Sequence, residues 1–242
     1  MTKRKGTELY DISSFTHSYF ERRERRDNPN DTLEFPLLQS LLPPLAGKHV
    51  LDIGCGDGRT AQWAVVEGVA TYMGIDPSQT MLEKAQNRHL PDLVGWHHGT
   101  VETLPSTVST ADIVISRLVL HYIPDLPATL EKIANLCKTG TTFTFTVEHP
   151  VVTCQYARPK GKRGACLVDD YFIEGERMEE WHGEQVVKYY RSLHTYITML
   201  QQAGFTLLDI KESMPQSRWF DSEEEYERRR RIPLFLGIHV RK

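Results

Sequence analysis

The chain has 242 residues, a formal net charge of −3 at pH 7 and 25% charged residues, a balance that excludes a general basic field for binding nucleic acid. It has no apolar run near membrane-spanning length, and its basic N-terminus, MTKRKGTELYD, lacks the apolar stretch of a secretory signal. Its four cysteines form no C-x-x-C pair, so we expect a reduced, cytoplasmic protein folded as a single domain, residues 1–242.

Residues 13–42 are predicted to form two helical pieces. FTHSYFERRERR is amphipathic at its start and heavily charged at its end. LEFPLLQSLLPPL is apolar at helical spacing and is stopped by Pro43 and Pro44.

Strands and helices then alternate along the chain. The predicted strands are KHVLDIG, TYMGID, LVGWHH, ADIVIS and TTFTFTVE, followed near the C-terminus by TLLDIKES and PLFLGIHVR. The helical segments between them include PSQTMLEKAQNRH, with Ser78 as a plausible N-cap, and LHTYITMLQQAGF. This alternation predicts an α/β fold with a parallel sheet and helices on both faces.

Two segments depart from the alternation. Residues 150–191 contain proline, glycine, aromatic residues and the basic stretch RPKGKRG, and a segment of this length favours a lid or a binding function. The basic stretch either steers an anionic acceptor or a carrier protein, or it is a solvated loop. The run DSEEEYERRRR is interpreted as a solvated, self-paired helix rather than a polyanion site. Its pairs at i,i+4 spacing are Glu224–Arg228, Glu225–Arg229 and Glu227–Arg231.

A glycine-rich turn follows the first strand, in DIGCGDG at residues 52–58. Glycines there tolerate unusual dihedral angles and let a ligand contact the backbone. A dinucleotide site has the spacing G-x-G-x-x-G, whereas here the third glycine comes one residue early, at Gly58, and Arg59 takes the fingerprint position. Asp76 ends the second strand, where a carboxylate accepts hydrogen bonds from both hydroxyls of a ribose. The alternative is that Asp76 only caps the following helix.

With both features present, the chain resembles the class I S-adenosylmethionine-dependent methyltransferases. The resemblance is carried by HVLDIGCGDG, GIDPSQTMLEKA, GTVETLP, DIVISRLVLHYI and the closing strands, and VEHP at 147–150 resembles one bacterial, small-molecule-type branch. It implies a Rossmann-like fold, a seven-stranded sheet of order 3-2-1-4-5-7-6 and an antiparallel strand 7. It further implies an N-terminal helical lid (1–45) and an acceptor-side cap insertion after strand 5 (150–191).

The resemblance also implies the cofactor, S-adenosyl-L-methionine, and the residues that hold it. These lie in the lid, in the glycine turn and after strands 2, 3 and 4: Tyr19, Arg23, Asp52, Gly54, Cys55, Gly56, Asp76, Pro77, Met81, Thr100, Val101, Glu102 and Arg117. The glycines would contact the amino acid part of the cofactor, and Asp76 would hold the ribose. Pro77 and Met81 would flank the adenine, and Thr100 stands where relatives usually carry aspartate. The backbone around Arg117 would receive the cofactor's amino group.

Catalysis of methyl transfer depends mainly on positioning and desolvation, because the cofactor carries the leaving group. A general base is needed only when the acceptor must lose a proton near the transition state. His149, after strand 5, and His121, after strand 4, are candidate bases, and a packing histidine is the alternative for each. Glu148 either orients a neighbour or stays in the strand ladder.

The acceptor pocket is predicted to be aromatic. Its candidate residues are Tyr122, Tyr171, Trp181, Tyr189 and Tyr190. Aromatic faces stabilise a sulfonium or a cationic amine, although these rings could equally form the small core of the cap itself. Cys166, Leu167 and Tyr190 replace residues that are frequent in the branch, which indicates a reshaped pocket.

The leading functional hypothesis is methyl transfer to an N or O atom of a small-molecule acceptor. Two alternatives stay open: an intramolecular reaction of the cofactor that releases methylthioadenosine, and a non-catalytic, cofactor-binding regulatory module. Nucleic acid is a disfavoured partner because of the charge, and neither a membrane nor an oligomeric state is predicted. No metal site is expected, since His97 and His98 are adjacent on a strand and point to opposite faces.

Overall fold

The computed structural model describes residues 3–4, 6–104, 111–154, 166–181 and 183–242. Its strands are β1 (Lys3–Arg4), β2 (His49–Ile53), β3 (Thr71–Asp76), β4 (Val94–His98), β5 (Ile113–Arg117), β6 (Thr142–Glu148), β7 (Gly175–Trp181), β8 (Glu184–Tyr190), β9 (Thr206–Glu212) and β10 (Phe235–Arg241). The large sheet has the order β4–β3–β2–β5–β6–β10–β9, and β10 is antiparallel to both of its neighbours. Numbered within this sheet alone the order is 3-2-1-4-5-7-6, so the predicted topology is confirmed.

Helices cover both faces of the large sheet. The α-helices of the described residues are α1 (Gly6–Leu9), α2 (Ser13–Arg23), α3 (Phe35–Leu41), α4 (Arg59–Val66), α5 (Gln79–Gln86), α6 (Leu126–Leu136), α7 (Pro150–Thr153), α8 (Leu193–Gln202) and α9 (Glu223–Arg230). Successive residues of a strand point to opposite faces. Val50 therefore packs with Leu38 of α3, whereas its neighbour Leu51 packs in the cluster that contains Leu130 of α6. Burial on both faces explains why the central strands β2 and β5 are mainly apolar. Within the described residues, no helix is long and apolar enough to cross a membrane.

The parallel strands β2, β3, β5 and β6 end along one edge of the large sheet. Ile53 pairs with Ile75 across β2 and β3, and Arg117 pairs with Thr146 across β5 and β6. The segments that follow these strands therefore meet above that edge, where open α/β sheets bind their ligands.

The N-terminal segment is helical, as predicted, but its helices are shorter than the sequence pattern suggests. The helix α2 ends at Arg23, before the charged run is complete, and a π-helical turn at Asn30–Glu34 precedes α3. Leu42 is extended, with ψ 140°, because the residue before a proline is disfavoured in the helical region.

Asp11 anchors this segment to the large sheet. Its Oδ1 accepts hydrogen bonds from Ser78 Oγ (2.6 Å) and from the Thr80 backbone N–H (3.1 Å) at the start of α5. Burial acts to raise the pKa of Asp11, but the hydrogen bonds from Ser78 and Thr80 outweigh it and lower the pKa. The N-terminal helices thus sit over the carboxyl end of β3.

The segment after β6 contains a β-hairpin that the sequence analysis did not predict. The strands β7 and β8 are antiparallel, and β1 pairs in parallel with β8. Gly183, between β7 and β8, has φ 82°, a conformation that tight hairpin turns favour. Val186 of this hairpin packs with Leu9 and Phe15 of the N-terminal helices, so the two peripheral segments share one apolar cluster. The basic stretch RPKGKRG lies outside the described residues.

The charged run near the C-terminus forms a helix, α9, as predicted. Of the expected pairs, Glu225–Arg229 forms at 3.8 Å. The other ion pairs on this helix have i,i+3 spacing: Arg228 with Glu225 at 2.6 Å and Arg230 with Glu227 at 2.7 Å.

Candidate active site

A cavity of about 980 Å³ lies at the carboxyl edge of the large sheet, beneath the N-terminal helices and the hairpin. It brings together most of the residues proposed from the sequence. Those that line it are Tyr19, Arg23, Gly54, Cys55, Gly56, Asp76, Pro77, Met81, Thr100, Val101, Glu102, Arg117, His121, Tyr122, Glu148, Trp181 and Tyr189. Asp52, His149, Tyr171 and Tyr190 do not line it.

The glycine turn provides a backbone floor to the cavity. Gly54 and Gly56 have φ of 75° and 55°, a region that disfavours residues with a Cβ. The N–H groups of Gly54 and Cys55 both donate to the Ile75 carbonyl, at 2.8 and 3.0 Å, which pins the turn to β3. A Cβ on Gly54 would come within 2.2 Å of Val119, whereas a Cβ on Gly56 would have no neighbour within 4 Å. Close packing thus dictates the first glycine, and the second leaves bare backbone at the cavity.

Asp76 joins the glycine turn to the start of α5. Its Oδ2 accepts from Gly56 N–H (2.8 Å) and its Oδ1 accepts from Ser78 N–H (2.9 Å). Ser78 is the N-cap, as predicted, because its Oγ accepts from Met81 N–H. Burial raises the pKa of Asp76, and the two backbone hydrogen bonds partly offset that rise. A carboxylate oxygen has more than one acceptor site, so Asp76 can hold the turn and still accept hydrogen bonds from a ligand in the cavity.

An apolar slot lies beside Asp76. Met81 and Val101 are buried and form its walls together with Pro77. Thr100 begins the turn at Val101–Thr103, and Glu102 accepts a hydrogen bond from Thr129 at 3.0 Å. A flat ring bound here would have apolar contacts on its faces and polar groups at its edge. A carboxylate for a ribose, bare backbone and this slot together fit the predicted cofactor, S-adenosylmethionine.

Asp52 has a structural position rather than the predicted place beside the ligand. It is fully buried, and its Oδ2 accepts a hydrogen bond from the Tyr72 hydroxyl within the sheet. Its Oδ1 is buried and has no hydrogen-bond partner among the residues that the structure describes. Burial raises the pKa of Asp52 to about 6, although the Tyr72 hydrogen bond acts to lower it.

This pKa predicts that the Asp52 carboxylate destabilises the protein at neutral pH. The pKa of Asp52 rises from 3.8 in the unfolded chain to about 6 in the folded protein. The protonated carboxyl therefore contributes its full stabilisation at pH values below 3.8, and this stabilisation is lost as the pH rises through about 6. The free energy of unfolding of Asp52→Asn minus that of the wild type should therefore increase by about 1–3 kcal/mol from pH 4 to pH 7. Urea unfolding at both pH values measures this, and an unchanged difference would contradict it. Asp112→Asn, at an exposed carboxylate whose pKa is lowered by the His49 N–H, should show a small trend of opposite sign.

Arg117 ends β5 and ties the cavity to the N-terminal segment. Its Nε lies 3.2 Å from both carboxylate oxygens of Glu34, and Nη2 donates to Glu34 Oε2. Its Nη1 donates to Thr60 Oγ1 at 3.0 Å. Burial acts to lower the pKa of Arg117, but Glu34 reverses this and raises the pKa. The guanidinium is therefore engaged by the protein, and the backbone at this strand end is held in place.

The far end of the cavity contains a cluster of three charged side chains, of which the sequence analysis identified only one. Lys188 Nζ lies 2.8 Å from Glu148 Oε2 and 2.6 Å from Glu179 Oε2. The same ammonium lies 5.3 Å from the ring centre of Trp181 and 5.7 Å from that of Tyr122. Glu148 was predicted, whereas Glu179 and Lys188 were not, because only the register of the unpredicted hairpin brings them together. Lys188 lies in EQVVKYY, and the valines and tyrosines of that segment were the available signal of a strand.

His149 and two of the predicted aromatic residues lie elsewhere. His149 caps the short helix α7: its Nδ1 accepts from Val151 N–H, and its Nε2 is 2.8 Å from Glu212 Oε1 on β9. Burial lowers the pKa of His149, partly offset by Glu212. Both ring nitrogens are thus engaged away from the cavity, and the structure gives no support to His149 as a base.

Tyr171 and Tyr190 pack within the cap segment. The Tyr190 hydroxyl donates to the Tyr171 carbonyl at 2.8 Å, and the Arg177 guanidinium lies 5.0 Å from the centre of the Tyr190 ring. This is the alternative considered for the aromatic residues, a small core of the cap itself. His121, in contrast, lines the cavity, with its ring 4.4 Å from that of Tyr122. The described residues contain no group of histidine, cysteine or acidic side chains that could hold a metal ion.

Comparison with known proteins agrees with this geometry. The sequence model of a protein family described as a methyltransferase domain matches residues 21–210 of this chain. An uncharacterized protein of Haemophilus influenzae is 30% identical over 97% of this chain and 96% of its own length. A Listeria monocytogenes protein described as an S-adenosylmethionine-dependent methyltransferase is 32% identical, with a TM-score of 0.76 over 86% of this chain and 96% of its own. A similarly described structure from Mesorhizobium loti, 24% identical, has the same fold, with a TM-score of 0.78 over 91% of this chain and 100% of its own.

Proposed function

Because the chain belongs to the methyltransferase-domain family and is an S-adenosylmethionine-dependent methyltransferase, we propose that it methylates an N or O atom of a small molecule. The size of the cavity is the observation that supports a small acceptor. A single cavity of about 980 Å³ connects the glycine turn to the Glu148–Lys188–Glu179 group, and the N-terminal helices and the hairpin roof it. A cavity of this size suits a cofactor with a small second ligand.

In this proposal the residues of the glycine turn and the slot hold the cofactor. Asp76 binds the ribose hydroxyls, the backbone at Gly54 and Gly56 faces the amino acid part, and Met81 and Val101 contact the adenine. Tyr19 and Arg23, from the N-terminal helices, close the cavity on the opposite side. When bound, S-adenosylmethionine supplies an activated methyl group together with its leaving group.

The groups at the far end of the cavity position the acceptor. Lys188 bridges Glu148 and Glu179, and this fixes both carboxylates with respect to the rings of Tyr122 and Trp181. These three charged side chains are at most 21% exposed, and low exposure to water strengthens polar contacts. For an acceptor that must lose a proton, Glu148 is the proposed proton acceptor, and His121 is the second cavity-lining candidate.

Product analysis tests this function. We expect the protein to bind S-adenosylmethionine and S-adenosylhomocysteine in calorimetry. With methyl-labelled S-adenosylmethionine and an ultrafiltered bacterial metabolite fraction, it should release S-adenosylhomocysteine and label a compound of low mass. A parallel reaction receives total tRNA instead, and labelling of the tRNA without any labelled compound of low mass would contradict the proposed acceptor class. Release of methylthioadenosine without an acceptor would indicate intramolecular cyclisation, and binding without turnover would indicate a regulatory module.

A further inference from the structure

An arginine-rich wall forms part of the cavity lining. Arg22 at the end of α2 contributes to it, together with Arg228, Arg229 and Arg231 at the end of α9. The helix α9 leads directly into β10, whose first residue, Phe235, pairs with Glu148 in the large sheet. The wall and Glu148 thus line the same cavity, and the short segment 231–234 connects α9 to the strand that pairs with Glu148.

The described ion pairs do not give Arg228 and Arg229 a carboxylate each. Arg228 and Arg229 share one carboxylate, that of Glu225, at 2.6 and 3.8 Å. Asp27 also lies near Arg229, and both of its oxygens already accept hydrogen bonds from Arg25, each at 3.1 Å. Two guanidinium groups thus face one carboxylate at the cavity wall.

Arg229 is also incompletely satisfied. Its side chain is only 16% exposed. The buried Nε has no hydrogen-bond partner in the part of the chain that the structure describes. Burial and then repulsion from Arg228 lower the pKa of Arg229. A buried guanidinium with an unused donor is costly unless an acceptor is supplied.

Four other cationic side chains of the cavity have carboxylate partners of their own. Arg117 pairs with Glu34, Arg59 with Asp57 at 2.9 Å, and Arg23 with Asp31 at 3.0 Å. Lys188 lies between two carboxylates. Arg228 and Arg229, which share the carboxylate of Glu225, therefore differ from these four among the described ion pairs.

We infer that the acceptor carries an anionic group, a carboxylate or a phosphate, and that Arg228 and Arg229 bind it while the methylated atom lies toward Glu148. This inference rests on the proposed function, since it assigns the class of the methyl acceptor. Planar guanidinium groups bind either oxyanion through paired, charge-assisted hydrogen bonds. The charged run on α9 is then a ligand-binding element as well as a self-paired helix.

The test uses the full chain saturated with S-adenosylhomocysteine and titrated with inorganic phosphate or citrate in a calorimeter. We expect the wild type to bind at least one of the two anions, more weakly as ionic strength rises. The combined variant Arg228→Gln/Arg229→Gln should bind it about tenfold more weakly or worse. Which anion binds distinguishes a phosphate site from a carboxylate site. Arg228→Lys/Arg229→Lys keeps the charges and should retain part of the affinity.

Arg230→Gln is the matched control. This residue lies on the same helix, is half exposed and pairs with Glu227 outside the cavity lining, so anion binding should be unchanged. Equal anion binding by the wild type and the glutamine variant, or none by either, would overturn the inference. The proposed function would still stand in that case, provided that both proteins bind S-adenosylhomocysteine normally. Weaker S-adenosylhomocysteine binding by the glutamine variant would also overturn it, because the arginines would then hold the cofactor. Failure of the wild type to bind S-adenosylhomocysteine would instead remove the proposed function.

Discussion

Glu34→Ala is expected to lower the free energy of unfolding by about 3–5 kcal/mol, since it leaves a buried charge without its partner. Glu34 is fully buried, accepts hydrogen bonds from the Arg117 guanidinium and accepts another from Thr146 Oγ1 at 2.6 Å. Removal of the carboxylate leaves the Arg117 guanidinium without its acidic partner, although the Arg117 side chain is only 14% exposed. For a chain of this size the loss corresponds to a fall in melting temperature of roughly 10 °C. Urea and thermal unfolding measure it.

Two further variants separate charge from packing. Glu34→Met combined with Arg117→Met removes both charges and keeps an apolar volume, so it should recover much of the stability lost in Glu34→Ala. Glu227→Ala breaks the exposed Arg230–Glu227 pair on α9, and it should cost less than about 1 kcal/mol. A loss of that small size in Glu34→Ala would show that the buried pair does not anchor the N-terminal helices to the sheet.

This pair illustrates what a single sequence does not reveal. Glu34 and Arg117 are separated by 83 positions, and nothing in the residues around either one indicates the other. The Lys188–Glu148–Glu179 group is similar, since it depends on the pairing of β7 with β8. Contacts of this kind arise from packing between distant segments, which local patterns do not encode.

Features set by local chemistry were predictable. The glycine turn, the N-cap at Ser78 and Asp76 at the end of β3 all follow from neighbouring residues, and the structure places them together at the cavity edge. The order of the large sheet followed from the family resemblance. His149 shows the limit of positional reasoning. It follows β6 as expected, but it caps a helix that begins at Pro150 and contacts Glu212 of β9, so its ring lies away from the cavity.

Asp76→Ala is expected to weaken binding of S-adenosylhomocysteine by about 100-fold, because hydrogen bonds to a charged group contribute roughly 1.5–3 kcal/mol each. The change also removes the acceptors of the Gly56 and Ser78 N–H groups, so part of the loss will come from a loosened glycine turn. Calorimetry measures the affinity, and thermal unfolding without ligand measures the loss of stability. Asp112→Ala serves as the matched control, because Asp112 accepts from His49 N–H at the opposite edge of the sheet and should leave the affinity unchanged.

A comparison of ligands isolates the contact of Asp76 with the ribose from its effect on the turn. Methylthioadenosine and its 2′-deoxy analogue differ by one hydroxyl, so the ratio of their affinities reports the hydrogen bond to that group. The wild type should prefer the hydroxylated ligand by about tenfold or more. In Asp76→Ala the preference should largely disappear, because a turn that is merely loosened weakens both ligands equally. A preference of the same size in both proteins would mean that another group holds the ribose and that Asp76 acts only through the glycine turn.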